Sequence, residues 1–216
     1  MTQNIRYSVD GDGIALLLID VAGRPMNVLT PGFQSDLAEC IQRVVSDAAV
    51  RGVVIGSAKS SFMAGADIKD MVGAYDRGIT AAEASKFSYE LSSLLRRFET
   101  CGKPVAAAIN GVALGGGFEV ALACHYRVIA DEPKAGVGLP EVKIGLLPGG
   151  GGTQRVPRLV GVTEALKLIT EGRQLSPADA LKKGLVHEVA PTAEIVERAR
   201  QWILKGGEGV QPWDKK

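Results

Sequence analysis

Two short apolar runs, 5–9 and 14–19, open the chain on either side of the polar sequence Asp10-Gly11-Asp12-Gly13. Asp-Gly pairs supply the positive φ angles that a tight β-hairpin turn needs. The pattern therefore predicts that the chain begins with a hairpin of two strands.

Two amphipathic helices are predicted where apolar residues recur at spacings of three and four. The first begins at Thr30-Pro31, because proline suits the first helical turn, and is expected to end near residue 51. The second begins at Thr80, which forms a capping-box pattern with Glu83, and is expected to end at residue 102. Their apolar stripes are Phe33, Leu37, Ile41 and Val44 in the first helix, and Phe87, Leu91, Leu94, Leu95 and Phe98 in the second.

Shorter apolar runs alternate with helical segments along the rest of the chain. Strands are predicted at 53–55, 105–109, 126–130 and 185–189, and further helices at 118–124, 177–184 and 193–204. This alternation indicates an α/β fold with short buried strands. We expect one domain over residues 1–204, followed by a Gly-rich, polar and linker-like tail over 205–216.

Composition and charge argue against several classes of protein. Hydrophobic residues make up 46% and charged residues 23% of the chain, which indicates a globular protein. The net charge of +1 provides no global field for nucleic acid or an anionic membrane. The longest uncharged run, 104–118, is shorter than a membrane span, and the first residues lack a signal pattern. We therefore expect a cytoplasmic protein without a membrane span.

The cysteines and histidines show no metal-site pattern. The three cysteines are widely spaced, without a CxxC pair, and are expected to be reduced and mostly buried. His125 and His187 have no partner at ligand spacing, so structural roles are favoured over metal binding. The sequence therefore predicts no metal site.

Two Gly-rich segments stand out, residues 115–117 and 148–155. Neither matches GxxxxGK[ST] or the spaced GxGxxG fingerprint, so nucleotide binding of those kinds is not supported. Three glycines between a strand and a helix let the backbone approach a ligand and leave N–H groups free at the positive end of the helix. They also permit close packing of helix against sheet, so the triplet alone leaves both interpretations open.

Two glutamates lie close to these segments in the sequence. Glu119 occupies an otherwise apolar stretch, where it either faces a site with polar partners or lies on the exposed side of a short helix. Glu141, directly after Pro140 in a loop, is unremarkable by itself. Two carboxylates facing one pocket would separate each other's titration, and such a separation assigns acid and base roles.

Four segments together resemble the crotonase (enoyl-CoA hydratase/isomerase) superfamily, in order and spacing, over about residues 10–205. They are MAGADIK at 63–69, NGVALGGGFE at 110–119, LPE at 139–141 and PGGGGTQR at 148–155. The resemblance implies an α/β fold built as a spiral of ββα units, with Glu119 and Glu141 as the catalytic residues. It also implies an acyl-CoA thioester substrate and chemistry without a metal or redox cofactor, coenzyme A being part of the substrate.

The resemblance assigns further positions, residue by residue. The oxyanion-hole amides would belong to Ala66 and Gly116, and the amide of Gly149 would help to hold the attacking water. Contacts with coenzyme A are implied at Ala64, Lys69, Arg24 and Lys59. Each of the basic side chains is more often only a solvated surface charge.

Three functions stay open. A 2-enoyl-CoA hydratase is favoured because both glutamates are present, whereas a Δ3-Δ2-enoyl-CoA isomerase needs only one positioned carboxylate. The third is a non-catalytic binding module with the same fold.

The sequences GGGFEVALACHYR and QPWDKK are most similar to the N-terminal hydratase domain of multifunctional fatty-acid oxidation enzymes. In those enzymes a 3-hydroxyacyl-CoA dehydrogenase domain follows. The chain stops at Lys216, before the C-terminal helices with which stand-alone members cover the acyl pocket and build trimers. A fold lacking those covering helices is therefore expected, and pocket closure and oligomeric state stay open.

Overall fold

The computed structural model describes residues 4–215, which form two β-sheets packed against helices. The strands are β1 (Ile5–Val9), β2 (Ile14–Ile19), β3 (Gly52–Ser57), β4 (Val105–Ile109), β5 (Val112–Leu114), β6 (Tyr126–Ala130), β7 (Gly136–Gly138), β8 (Gln174–Leu175) and β9 (Glu188–Ala190). The helices are α1 (Pro31–Ser46), α2 (Ile68–Asp76), α3 (Ala81–Glu99), α4 (Gly116–Leu122), α5 (Gly152–Val160), α6 (Val162–Glu171), α7 (Pro177–Lys182) and α8 (Ile195–Leu204). Two 3-10 helices cover Pro140–Ile144 and Pro212–Asp214.

Parallel pairing dominates the larger sheet, whose strand order is β1-β2-β3-β4-β6-β9. The predicted opening hairpin is confirmed, because β1 and β2 pair antiparallel. All other neighbours in this sheet are parallel. The smaller sheet has the order β5-β7-β8, with β5 parallel and β8 antiparallel to β7. Parallel neighbours need crossover connections, and α1 and α3 lie in two of them.

Both faces of the central strands β2, β3 and β4 are covered, which explains why these strands are almost continuously apolar. On β3, Val53 and Ile55 join the main core, which includes the predicted stripes of α1 and most of the stripe of α3. Val54 points to the other face and joins a smaller core with α8. That helix contributes Ile195, Ala199 and Ile203.

The predicted helix starts are confirmed. Thr30 Oγ1 accepts the N–H of Phe33 at 3.0 Å, and Thr80 and Glu83 form the reciprocal capping box. The predicted end of the first helix near residue 51 is wrong. Helix α1 ends at Ser46 because Asp47 is extended and its carboxylate accepts the N–H of Ala49 in a turn towards β3.

The predicted strand at 185–189 is displaced. The N–H of Leu185 donates to the carbonyl of Ala180, so residues 185–186 complete the turn after α7. Strand β9 starts only at Glu188, where pairing with β6 begins. The pattern also missed α2, which buries no side chain, and α5, which contains Gly152 and Pro157.

Residues 205–215, the described part of the predicted linker-like tail, lie against the body of the protein. Gln211 is 1% exposed and donates to the carbonyls of Leu122 and Cys124. Asp214 accepts two hydrogen bonds from Arg96, at 2.8 and 2.7 Å. The composition indicated a flexible segment, but buried and charged contacts hold it; the domain boundary at residue 204 stays a prediction.

The three cysteines are free thiols, and both histidines form hydrogen bonds with the protein backbone. Cys40 and Cys124 are buried free thiols and Cys101 is half-buried. His125 Nδ1 accepts the N–H of Val105, and its Nε2 lies 3.0 Å from a backbone carbonyl oxygen. His187 Nδ1 accepts a backbone N–H at 3.1 Å, and its ring stacks on a tyrosine. Among the described residues no helix is long and apolar enough to cross a bilayer.

Replacing Gly117 by alanine is expected to destabilise the fold by about 1–3 kcal/mol, as overpacking does. The added Cβ would overlap the Met63 carbonyl and lie 2.8 Å from its carbon, and backbone cannot move as a flexible side chain does. This strain outweighs the gain in helix propensity, about 1 kcal/mol. Urea unfolding measures the change. Gly11→Ala is the matched control, because nothing lies within 4 Å of its added Cβ; equal stability of the two variants would contradict the packing role.

Candidate active site

The glycine triplet turns the chain from β5 into α4. Gly115 has φ +52°, in the region that favours glycine, and its N–H donates to the carbonyl of Gly138 at 2.9 Å. Gly117 packs directly on the backbone of Met63. The triplet therefore serves close packing, and it also places the first turn of α4 beside a second segment that the sequence singled out.

The 63–67 segment lies alongside this turn. Met63 forms a parallel bridge with Ala113, and its carbonyl accepts the N–H of Leu114 at 3.0 Å. A Cβ on Gly65 would lie 3.5 Å from the nitrogen of Gly116. The structure thus brings together the two segments that carry the predicted oxyanion-hole amides.

The N–H groups of Ala66 and Gly116 are available for a ligand. No hydrogen bond among residues 4–215 uses either N–H as donor. Gly116 is the first residue of α4, where an N–H has no partner within the helix and the helix dipole favours negative charge. Their role as an oxyanion hole stays a prediction, and the geometry permits it.

Glu119 is held in the first turn of α4 with only 1% of its surface exposed. Its Oε1 accepts the N–H of Gly150 at 2.8 Å and that of Gly152 at 2.7 Å. Burial raises the pKa of Glu119, while the N–H groups of Gly152 and Gly150 act in the opposite direction. Of the two readings left open by the sequence, a buried carboxylate with polar partners is therefore correct.

Glu141 lies in the 3-10 helix Pro140–Ile144 and approaches the same turn from the other side. Its Oε1 lies 3.0 Å from the point that a Cβ on Gly115 would occupy. Its Oε2 is buried and has no hydrogen-bond partner among the described residues. Burial, with a smaller contribution from the charge of Glu119, raises the pKa of Glu141 to about 7.

The two carboxyl groups therefore flank one short stretch of backbone. A Cβ on Gly116 would lie 3.7 Å from Glu119 Oε2, just as one on Gly115 would touch Glu141. Two N–H donors support a negative charge on Glu119, whereas the free oxygen of Glu141 has no such support. Hydrogen bonding therefore favours ionisation of Glu119 over ionisation of Glu141, an arrangement that can provide one base and one acid in the same pocket.

Gly149 is exposed and lies beside Ser88, whose Oγ is 3.0 Å from the position of an added Cβ. The N–H groups that donate to Glu119 belong to Gly150 and Gly152, which follow Gly149 closely in the sequence. The sequence did not identify these two, although they lie in the PGGGGTQR segment. The role of the Gly149 amide in holding water stays a prediction.

Two of the four positions assigned to coenzyme A make contacts within the protein. Lys59 Nζ donates to the carbonyls of Val21 and Arg24 at 2.5 and 2.6 Å. The Arg24 guanidinium pairs with Asp67 at 2.5 Å and Asp70 at 3.3 Å. Lys59 therefore holds the loop at residues 21–24, and Arg24 links that loop to the start of α2. Contact of either side chain with coenzyme A stays a prediction.

The other two positions differ from these in their surroundings. Lys69 is exposed in the first turn of α2, and its backbone N–H donates to the carboxylate of Asp67 at 2.8 Å. Ala64 is half-buried, and its N–H donates to the carbonyl of Asn27 at 2.9 Å. Of the three basic candidates, Lys69 is the one whose side chain has no ion pair among residues 4–215.

Exposed apolar side chains adjoin the site in sequence, and the pattern did not single them out. On α2, Ile68 is 58%, Val72 53% and Tyr75 79% exposed. Leu146 and Leu147, which follow the 3-10 helix of Glu141, are 41% and 72% exposed.

The Glu141→Gln protein is expected to be more stable than the parent chain above pH 7 and equally stable near pH 4. Glu141 binds its proton more tightly in the folded chain, since its pKa rises there from 4.5 to about 7. Folding stability therefore falls as the pH rises through this interval, by at most about 3 kcal/mol. Urea unfolding of both proteins at pH 4 and pH 8 measures it. A stability difference independent of pH would contradict the raised pKa.

Comparison with known protein families identifies relatives of this chain. A profile of the enoyl-CoA hydratase/isomerase family matches residues 12–208. The chain is 45% identical over 216 residues to the fatty acid oxidation complex subunit alpha of Shewanella baltica. It is 46% identical over 207 residues to the subunit of the same name from Shewanella halifaxensis. It covers 100% and 95% of its own length in these matches, but only 30% and 29% of the relatives' length.

Solved structures show the same fold. The enoyl-CoA hydratase of Bacillus anthracis superposes with a TM-score of 0.84 at 33% identity, over 94% of this chain and 76% of that one. That of Geobacillus kaustophilus gives 0.86 at 32% identity, over 95% and 75%. The predicted crotonase-type α/β fold is confirmed, and both neighbours extend beyond the matched region. The chain belongs to the enoyl-CoA hydratase/isomerase family.

Proposed function

We propose that this chain adds water across the 2,3 double bond of 2-enoyl-CoA thioesters. The observation that carries the proposal is the pair of carboxyl groups on the two sides of Gly115-Gly116, that of the buried Glu119 and that of the half-buried Glu141. Their unequal hydrogen bonding supports one ionised and one protonated partner. Hydration can use such a pair, because one proton leaves the water as another reaches the α-carbon.

The reaction follows from the positions of the groups. The free N–H groups of Ala66 and Gly116 donate hydrogen bonds to the thioester carbonyl oxygen and stabilise the charge that collects there. Glu119 takes a proton from water as the water oxygen bonds to the β-carbon, and Glu141 delivers its proton to the α-carbon. Transfer of a proton from Glu119 back to Glu141 restores the starting state. This sequence uses no group beyond the protein, water and substrate.

An isomerase activity that moves a double bond from position 3 to position 2 is the second candidate. It needs one carboxyl group that removes a proton and returns it at another carbon. Glu141, with its pKa raised to about 7, is suited to both steps near neutral pH. A binding module without turnover is disfavoured, because it would have no use for the buried carboxyl group of Glu119 and the buried, unpaired oxygen of Glu141, which are costly to keep.

Product analysis in labelled water tests these alternatives. The chain is incubated with crotonyl-CoA and with longer 2-enoyl- and 3-enoyl-CoA thioesters in ¹⁸O-water, and the products are separated by liquid chromatography against 2-enoyl and 3-enoyl standards and identified by mass spectrometry. Hydration adds one labelled oxygen to a 2-enoyl substrate, whereas isomerisation converts a 3-enoyl substrate without adding mass. Absence of both products with every substrate would refute the enzymatic proposal.

We also propose that this chain acts as the hydratase part of a longer fatty-acid oxidation protein. Support comes from relatives named as fatty acid oxidation complex subunits, of which the chain spans less than a third. A following 3-hydroxyacyl-CoA dehydrogenase would oxidise the hydrated product. A cytoplasmic location is proposed as well, because the three unpaired cysteines suit a reducing compartment. Immunoblotting of fractionated cells reports the size and location of the natural protein.

A further inference from the structure

A buried ion pair lies behind the loop that holds Glu119. The side chains of Arg155 on α5 and Glu99 at the end of α3 are only 6% and 2% exposed. Arg155 Nε and Nη2 donate to the two oxygens of Glu99, at 3.0 and 2.9 Å. A bidentate pair of this kind fixes the plane and position of the guanidinium group.

The remaining nitrogen of Arg155 points at the loop itself. Its Nη1 donates to the carbonyl of Gly150 at 3.0 Å, and the N–H of the same glycine donates to Glu119 at 2.8 Å. Gly151, with φ +106°, wraps around the guanidinium so closely that an added Cβ would overlap Nη1. The shape of the 150–152 turn is therefore set by the position of Arg155.

Glu99 is anchored in turn by groups on the far side of the pair. Its Oε2 also accepts from Arg96 at 2.8 Å, and its carbonyl oxygen lies 3.0 Å from His125 Nε2. Arg96 also donates hydrogen bonds to both carboxylate oxygens of Asp214. The chain of contacts runs without a gap from the protein surface to the carboxylate of Glu119.

We propose that Arg155 is a positioning residue for the hydration reaction, because with Glu99 it fixes the 150–152 turn whose amides aim the Glu119 carboxylate. The inference rests on the proposed function. Arg155 acts through the loop, since its nitrogens contact Glu99 and Gly150. Its loss should therefore lower the turnover number while leaving the Michaelis constant nearly unchanged.

Besides fixing the turn, the charges of Arg155 and Glu99 should influence the pKa of Glu119, and this effect can be measured separately. The positive charge of Arg155 opposes the burial that raises the pKa of Glu119. The titratable and charged groups packed around Glu119 and this pair are Arg155, Glu141, Glu99, Arg96, Arg127, Cys124, His125 and Asp214. Neutralising Arg155 should raise the pKa of Glu119, and neutralising Glu99 should lower it.

Three variants test the proposal: Arg155→Lys, Glu99→Gln and the double variant Glu99→Gln/Arg155→Gln. Arg155→Lys keeps a cation but cannot form the three-way contact, and Glu99→Gln/Arg155→Gln removes both charges without leaving a lone buried ion. In each, the turnover number with crotonyl-CoA should fall about 10- to 100-fold through misplacement of the base, with the Michaelis constant within about twofold. The acidic limb of the pH profile should move to lower pH in Glu99→Gln. In the double variant it should move to higher pH, because Arg155 is the nearer charge to Glu119 and its loss outweighs the loss of Glu99. Arg158→Gln, an exposed change on the same helix, is the control.

A readout without turnover separates this proposal from the proposed function. Carboxyl titration by NMR of chains with ¹³C-labelled glutamate, assigned with Glu119→Gln, reports the pKa of Glu119 directly. An inactive parent chain with the expected pKa shifts would refute the function and keep the coupling. An active parent chain whose folded Arg155→Lys variant retains full turnover, with Glu119 titrating as in the parent in all variants, overturns the positioning role. Should the double variant not fold, Arg155→Lys and Glu99→Gln still decide the question.

Discussion

The Glu119→Gln protein is expected to hydrate crotonyl-CoA about 10³-fold more slowly than the parent chain, within the range that general acid-base groups contribute. An amide cannot take the proton of water, so the attacking oxygen is no longer activated. The amide oxygen can still accept the N–H groups of Gly150 and Gly152, which preserves the loop. Spectrophotometric turnover, with circular dichroism to verify folding, measures the effect.

The Michaelis constant separates this explanation from a general disturbance of the site. Glu119 is proposed to handle water, so binding of the thioester should change little. Glu39→Gln provides the control, because Glu39 is exposed on α1, away from the site. Hydration near the parental rate would show that Glu119 is not the base. Loss of hydration with residual isomerisation would support separate roles for the two carboxyl groups.

Much of the fold could be predicted from the sequence, because helices with one buried face carry apolar residues at regular spacings. Helices α1 and α3 bury their stripes in the main core, apart from the exposed Phe87, and the capping residues Thr30 and Thr80 mark the helix starts. The boundaries that failed depend on single hydrogen bonds, such as the one from Leu185 to Ala180, which leave no periodic signal. Helix α2 was missed for the opposite reason, because a helix that buries no side chain needs no stripe.

The site was predictable only as a set of segments. The motifs identified both carboxylates and the glycine turn, and the structure brings these together. The sequence could not show which amides would meet Glu119, because Gly149, Gly150 and Gly152 are the same residue type in one run. Nor could it show that Arg155 and Glu99, 56 residues apart, form a buried pair. Long-range partners of this kind depend on the path of the backbone, which composition and period do not encode.

The Glu141→Gln protein is expected to lose at least about 10²-fold in hydration rate, since it has no proton to deliver to the α-carbon. The hydration rate of the parent chain should likewise depend on whether Glu141 carries its proton, and its pH profile should show this. Burial raises the pKa of Glu141 to about 7, so the donor is protonated below that pH and ionised above it. The value of kcat/KM should therefore fall as the pH rises through about 7.

In Glu141→Gln the residual rate should lose this basic limb, because no carboxyl group remains there to ionise. Initial rates with crotonyl-CoA between pH 5 and pH 9, together with thermal unfolding at each pH, distinguish ionisation from loss of structure. A parent profile that stays flat from pH 6 to pH 9 would remove Glu141 as the acid. A variant that keeps both its rate and the basic limb would assign that limb to a different group. The proton reaching the α-carbon would then have to come from Glu119 or from water, and the division of roles drawn from the unequal hydrogen bonding of the two carboxyl groups would fail.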